Sequence, residues 1–280
     1  MQILRTVAEL RSWSRQQHSA GNTVGLVPTM GALHAGHASL LRAAAASCGA
    51  VAVSIFVNPT QFGPNEDFDR YPRTLDADCA LAEAAGACVV FAPPVEELYP
   101  TGAATFVNVE ALSQRLDGKS RPGHFRGVAT VVAKLLIAAE PDRAFFGQKD
   151  AAQVAVLRRM VADLRLGTEI VVCPIVREAD GLALSSRNLY LSPAERTQAL
   201  TLSRTIRHTE ALTAGGERRA DALIEAARQT FAAEPAIRVD YIELVDWATL
   251  EPIETAAPGG LFAVAAWVGA TRLIDNTILF

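Results

Sequence analysis

The sequence predicts an α/β protein, a parallel sheet covered by helices and followed by a smaller α+β domain. Three observations carry this reading. Short runs that are apolar throughout, 23–27 (TVGLV), 51–57 (VAVSIFV), 88–91 (CVVF) and 169–176 (EIVVCPIV), alternate with helix-forming stretches at 75–85, 128–139 and 151–165. Strands without polar alternation are buried on both faces, as in parallel sheets sandwiched by helices. Past residue 176 the order changes: two helical stretches, 194–213 and 219–233, precede three strand-like runs, 237–245, 261–268 and 271–278. Gly269-Ala270 joins the last two as a tight antiparallel turn, so domains of 1–176 and 177–280 are expected. Finally, 280 residues with 50% hydrophobic and 20% charged side chains suffice for a substantial core.

Taken in order, Thr6-x-x-Glu9 is a capping box opening a helix with Val7, Leu10 and Trp13 on one side. The strand 23–27 is expected to stop at Pro28, and a helix to run from His37 with Leu40 and Leu41 on its inner face. Asn58-Pro59 ends the next strand. The segment 60–74, TQFGPNEDFDRYPRT, is longer than a strand–helix link requires, and Phe62, Phe68 and Tyr71 argue against disorder, so 62–73 is expected to be a lid. Gly86 stops the helix 75–85. Residues 105–109 suit an edge strand, and RPGHFRG (121–127) is a turn-rich loop before the helix 128–139. Residues 142–146 form a strand ending at Gly147, and 169–176 the last strand of the first domain. No internal repeat or low-complexity segment interrupts the chain.

Composition narrows the function classes. The net charge is −4 with the cations dispersed, which disfavours nonspecific binding to nucleic acid or an acidic membrane. Cys48, Cys79, Cys88 and Cys173 stand apart without metal or redox spacing and suit reduced, cytoplasmic thiols. MQILRTVAELR carries no secretory signal pattern, and the most apolar stretches, 128–139 and 261–270, are shorter than the ~20 residues a membrane helix needs.

The chemistry concentrates at the first strand–turn–helix junction, Met30-Gly31-Ala32-Leu33-His34-Ala35-Gly36-His37. A helix N-terminus after a glycine-bearing turn offers backbone N–H groups and the positive end of the helix dipole to an anion. Two imidazoles add donors, which points to nucleotide phosphate. The turn is neither GxxxxGK[ST] nor GxGxxG, and no Cys, Asp or Glu lies close enough in sequence to complete a metal shell around the histidines. Three further stations gather polar groups. Phe146-Gly147-Gln148-Lys149-Asp150, leading to Gln153, repeats the strand–glycine–helix pattern. Leu184-Ser185-Ser186-Arg187 follows the domain boundary, and Asn58 with Gln61 opens the long loop.

PTMGALHAGH resembles the HxGH signature of the nucleotidyltransferase superfamily and, within it, the pantothenate synthetase family. FVNPTQFGPNEDFDRYPRT, RPGHFRGVATVVAKL, FFGQKD, VREADGLALSSRN and TRLIDN are similar to blocks of the same family, so the resemblance spans essentially the whole chain. It implies a Rossmann-like first domain, a homodimer, and ATP-dependent condensation of (R)-pantoate with β-alanine through a pantoyl-adenylate. By position it implies that Met30 to His37, Gly147, Gln148, Lys149, Asp150, Val176 and Leu184 to Arg187 line the ATP site. His37, His34, Lys149 and Arg187 would be catalytic, and Gln61, Gln153 and Asn58 would hold substrate. Mg2+ is implied as the partner of the ATP phosphates, with Asp76 and Asp78 as candidates only. Two departures stand out: Leu184 replaces the usual methionine, and Gln148 the usual glutamate. The rivals are another nucleotidyltransferase with a different acceptor, an aminoacyl-tRNA synthetase, and a nucleotide-binding protein without catalysis. AMP release with each acceptor separates them.

Overall fold

The computed structural model describes residues 1–64 and 66–280; Asn65, inside the expected lid, lies outside the described residues. In chain order the elements are β1 (Gln2–Leu4), α1 (Val7–Ser19), β2 (Val24–Thr29), α2 (Ala35–Ser47), β3 (Ala50–Ile55), α3 (Leu75–Ala84), β4 (Val89–Phe91), α4 (Val95–Leu98), α5 (Asp117–Ser120), α6 (His124–Ala139), β5 (Arg143–Gly147), α7 (Ala151–Asp163), β6 (Glu169–Cys173), α8 (Pro193–Ala214), α9 (Ala220–Ala232), β7 (Ile237–Asp246), β8 (Gly260–Val268) and β9 (Thr271–Leu279). They divide into two compact units, Met1–Gly147 with Val156–Pro174, and Gln148–Ala155 with Ile175–Phe280. A boundary at 176/177 assigns Gln148–Ala155 to the first part, whereas this segment packs with the second.

The first unit holds a six-stranded parallel sheet in the order β1-β4-β3-β2-β5-β6, the Rossmann-like arrangement the strand–helix alternation requires. The inner strands are buried along most of their length, which is why they read as continuous apolar runs. β1 escapes sequence reading because three residues carry no periodicity. The Thr6–Glu9 capping box forms and opens α1. β2 runs through Pro28 instead of stopping there. Thr29 O accepts from Phe56 N on the β3 side, so Pro28's missing N–H falls on the opposite side, where the β5 register ends at Leu26. β6 is shorter than expected because Pro174 follows it. The run 105–109 forms no strand: Val107 N donates to Thr130 Oγ1 of α6 at 2.9 Å, and Arg126 covers the Phe106 ring. α6 starts at His124, four residues earlier than expected, because left-handed Gly123 (φ +84°) turns the chain into it.

The second unit packs α8 and α9 on an antiparallel sheet, β7-β8-β9, around Leu202, Ile206, Leu223, Phe231, Phe262 and Val264. Ser192 and Glu195 form a capping box at α8. Among the described residues, no helix is long and apolar enough to cross a membrane.

The expected lid packs on itself. Phe62 meets Phe68 and Tyr71 edge-on, and Arg73 covers Phe68 while donating to the Tyr71 and Phe68 carbonyls. Arg121 anchors the loop through two bonds to Glu66, 2.7 and 2.6 Å long. Burial pushes the Glu66 carboxyl up, but Arg121's hydrogen bonds and charge outweigh it and hold the group below its ordinary range. His124 Nδ1 lies 2.8 Å from Gln61 O and Nε2 lies 2.9 Å from Arg121 Nη1. The carbonyl can only accept and the guanidinium can only donate, so the ring is neutral with its proton on Nδ1. α6 also presses on residues 60–61: a Cβ at Gly127 would sit 2.3 Å from Thr60 O, so only glycine fits there.

Burial first, and the Arg121 charge second, lower the His124 pKa from 6.5 to about 4. The unfolded chain therefore binds this proton more tightly. The stability His124 contributes is present above about pH 6.5 and is lost as pH falls towards 4, by up to about 3 kcal/mol. Between about pH 7 and pH 5 the melting temperature should fall further for the wild type than for His124→Asn, which keeps a donor for Gln61 O but does not titrate. Equal shifts would contradict this assignment.

Candidate active site

In the first unit β2 lies between β3 and β5, so the chain leaves it for one neighbour while the other arrives from later in sequence. In open parallel sheets that change of direction opens a crevice at the carboxyl ends of the strands. Met30 to His37 leave from the end of β2, and Gly147 closes β5 beside it.

The turn is held from within. Gly31 and Ala32 have positive φ, +86° and +50°, a conformation that side-chain-bearing Ala32 adopts only under constraint. Asp78, 2% exposed on α3, supplies the constraint. Its Oδ2 accepts from Ala32 N at 3.0 Å, and its Oδ1 from Leu33 N at 2.7 Å and Thr74 Oγ1 at 3.2 Å. Gly31 N donates to Thr29 Oγ1 at 3.2 Å.

The histidines cap the helix that follows. α2 begins at Ala35, two residues before the expected start, with His34 as its N-cap. His34 Nδ1 accepts from Gly36 N at 3.1 Å, and His37 Nδ1 accepts from His34 N at 3.3 Å, an imidazole version of the capping box. The ring centroids are 4.1 Å apart. A Cβ at Gly36 would lie 2.9 Å from His34 Cε1, which is why glycine separates the pair. An Nδ1 that accepts an N–H carries no proton, so each neutral ring keeps its proton on Nε2. This corrects the expectation that backbone amides face the ligand. Gly31, Ala32, Leu33, His34 and Gly36 all spend their N–H groups on protein acceptors.

Gln61 stands beside the turn, its Nε2 3.2 Å from Met30 Sδ. Asn58, expected to hold substrate, is buried and fully committed. It donates to Gln61 Oε1 at 3.0 Å and Gly127 O at 3.1 Å, and accepts from Thr60 N and Oγ1. The first of these bonds holds the Gln61 side chain. Asp78 likewise fixes a turn, and its oxygens are occupied by protein donors. Asp76 is exposed on α3, and no cluster of three His, Cys, Asp or Glu side chains suited to a metal exists among the described residues.

In the second unit Gln148–Asp150 form one 3-10 turn leading into α7, with Lys149 Nζ 3.8 Å from Asp150 Oδ1 and Gln153 half-buried on the helix. Val176 and Leu184 meet across a hairpin, Leu184 N donating to Val176 O at 2.9 Å. Ser185 Oγ accepts from Arg187 N at 3.3 Å and caps the 3-10 turn Ser186–Tyr190. Arg196 ties the hairpin tip through Glu178 and Asp180, and Asn188 ties its exit to Glu178 and Ala183 O. Sequence reasoning did not single out Arg121, His124, Arg177, Asp275 or Asn276. Their signal lay inside RPGHFRG, VREADG and TRLIDN, where no residue alone suggests a role.

Asp78→Asn replaces one acceptor with an NH2 group facing a backbone N–H. A loss of ~1–3 kcal/mol in stability is expected, with reduced activity, measured by denaturant unfolding and turnover. Unchanged values for both would remove Asp78 from this role.

Residues 2–278 match the Pantoate-beta-alanine ligase family. Pantothenate synthetase of Acidobacterium capsulatum is 60% identical over 290 aligned positions, covering 100% of this chain and 97% of the relative. That of Koribacter versatilis is 56% identical, with 100% and 96% covered. The crystal structure of pantothenate synthetase from Thermus thermophilus superposes with a TM-score of 0.95 at 46% identity, covering 100% of both chains. That of pantoate-β-alanine ligase from Francisella tularensis, complexed with β-γ ATP and β-alanine, superposes with a TM-score of 0.81 at 33% identity over 99% of this chain and 97% of that one. The chain belongs to the pantoate-β-alanine ligase family.

Proposed function

We propose that this chain joins (R)-pantoate to β-alanine at the expense of ATP, giving pantothenate, AMP and pyrophosphate through a pantoyl-adenylate. The observation that carries the reading is the His34–His37 pair, two imidazoles 4.1 Å apart and tilted by 36°, whose Nδ1 atoms accept from the backbone so that each neutral ring carries its proton on Nε2. In the first step a pantoate carboxylate oxygen attacks the α-phosphorus and pyrophosphate departs. The nucleophile is already ionised and needs no general base, so catalysis rests on donors placed where charge builds on the bridging and leaving oxygens. His34 and His37 are assigned there, with His37 the principal donor. Lys149 and Arg187 are assigned to the triphosphate, and Gln61 and Gln153 to pantoate. In the second step the neutral β-alanine amine attacks the acyl carbon and AMP leaves.

Magnesium enters as the counter-ion of the ATP phosphates. Asp78 already accepts three protein donors, and no step is assigned to the metal. The segment 62–73 is assigned as the lid that keeps water from the activated acyl group. Family resemblance further supports a cytoplasmic homodimer.

Incubation with ATP and pantoate alone should exchange labelled pyrophosphate into ATP, and pantoate labelled with ¹⁸O in its carboxylate should leave one labelled oxygen in AMP. ADP as product, or label in inorganic phosphate, would overturn the reading. A folded His37→Ala protein should form adenylate at least ~10²-fold more slowly in a single turnover; an unchanged rate would remove His37 from the first step.

A further inference from the structure

Lys149 sits on the 3-10 turn Gln148–Asp150, whose carbonyls are also held from β9. The side-chain amide of Asn276, 3% exposed on β9, makes its bonds to Gln148 and Lys149. Its Nδ2 donates to Gln148 O at 3.1 Å and Lys149 O at 2.9 Å, and its Oδ1 accepts from Gln148 Nε2 at 3.3 Å. Trp247 Nε1 donates to Ala151 O at 2.9 Å, so three carbonyls at the start of α7 are fixed from outside the helix. The preceding residue on β9, Asp275, is 1% exposed and accepts from Arg177 Nη1 and Nη2 at 2.7 and 3.0 Å. Arg177 lies at the base of the hairpin that continues through Leu184 into Ser185, Ser186 and Arg187. Asp275 Oδ1 also accepts from Asn276 N at 2.8 Å, which locks the two residues to one another.

We propose that Asp275 and Asn276 are positioning residues for nucleotide binding: Asn276 sets the Lys149 backbone and Asp275, through Arg177, sets the hairpin that leads to Arg187. This rests on the assignment of Lys149 and Arg187 to ATP. Gln148 joins the same network, its Nε2 donating to Asn276 Oδ1 while the Asn276 Nδ2 hydrogens go to the carbonyls.

The test uses the full chain and two readouts. Binding of a non-hydrolysable ATP analogue, followed by calorimetry without pantoate, reports positioning whether or not pantoate is the acceptor. Pyrophosphate exchange then supplies KM for ATP and for pantoate separately. Asn276→Ala should weaken analogue binding and raise KM for ATP about tenfold, equivalent to ~1.4 kcal/mol, with KM for pantoate within about twofold. Asp275→Asn should move the same quantities in the same direction. In a double-mutant cycle, Asn276→Ala should add little to Lys149→Ala, because it acts through that lysine. Normal analogue affinity in folded Asn276→Ala protein, or losses that add fully in the cycle, would overturn the proposal. If Asn276→Ala does not fold, Asn276→Ser, which keeps a single donor, carries the same comparison. Absence of exchange with pantoate, alongside weakened analogue binding in the variants, would instead reject the acceptor and leave the positioning role standing.

Discussion

A carboxylate removed from water is costly unless several donors replace the water, and Asp78 has three: two consecutive backbone amides and a threonine hydroxyl. Those amides belong to the turn after β2, whose left-handed Gly31–Ala32 conformation would otherwise relax. The helix that follows takes its direction from this turn, and with it the two histidines that cap it. The dependence also runs the other way. α3 could not bury Asp78 without these donors, so the packing of α3 and the shape of the turn are specified together.

This arrangement differs from a phosphate loop, in which free amides wait for a ligand to satisfy them. Here the amides from Gly31 to His34, and that of Gly36, are bonded within the protein, so the turn keeps its form without a nucleotide. The backbone also dictates the tautomer of the two histidine side chains.

How much was legible in the sequence depended on whether a signal was local. The capping box at Thr6 and Glu9, the apolar inner strands and the Gly269-Ala270 turn are written in adjacent residues, and all three form. The His34–His37 motif was visible too, but not its geometry, since nothing local shows that Asp78, 45 and 46 residues away from its partners, takes the amides. Pro28 misled because its effect depends on which side of β2 still has a neighbour, which is a property of the sheet. The run 105–109 had strand composition, yet its backbone found Thr130 on a helix instead of a partner strand. Asn58 looked like a substrate ligand by type, and only its burial shows that all its bonds are internal.

The cap geometry also decides which charge state of the histidines the fold supports. A protonated imidazole has N–H on both nitrogens, so protonating His34 or His37 would turn an Nδ1 acceptor into a donor facing the N–H of Gly36 or of His34. Each such change exchanges a cap bond for a clash of donors, and loss of an N-cap alone costs ~1 kcal/mol. The dipole of α2 adds to this, because its positive end disfavours a cation at the first turn. The cap bonds are thus made by the neutral tautomer that carries its proton on Nε2.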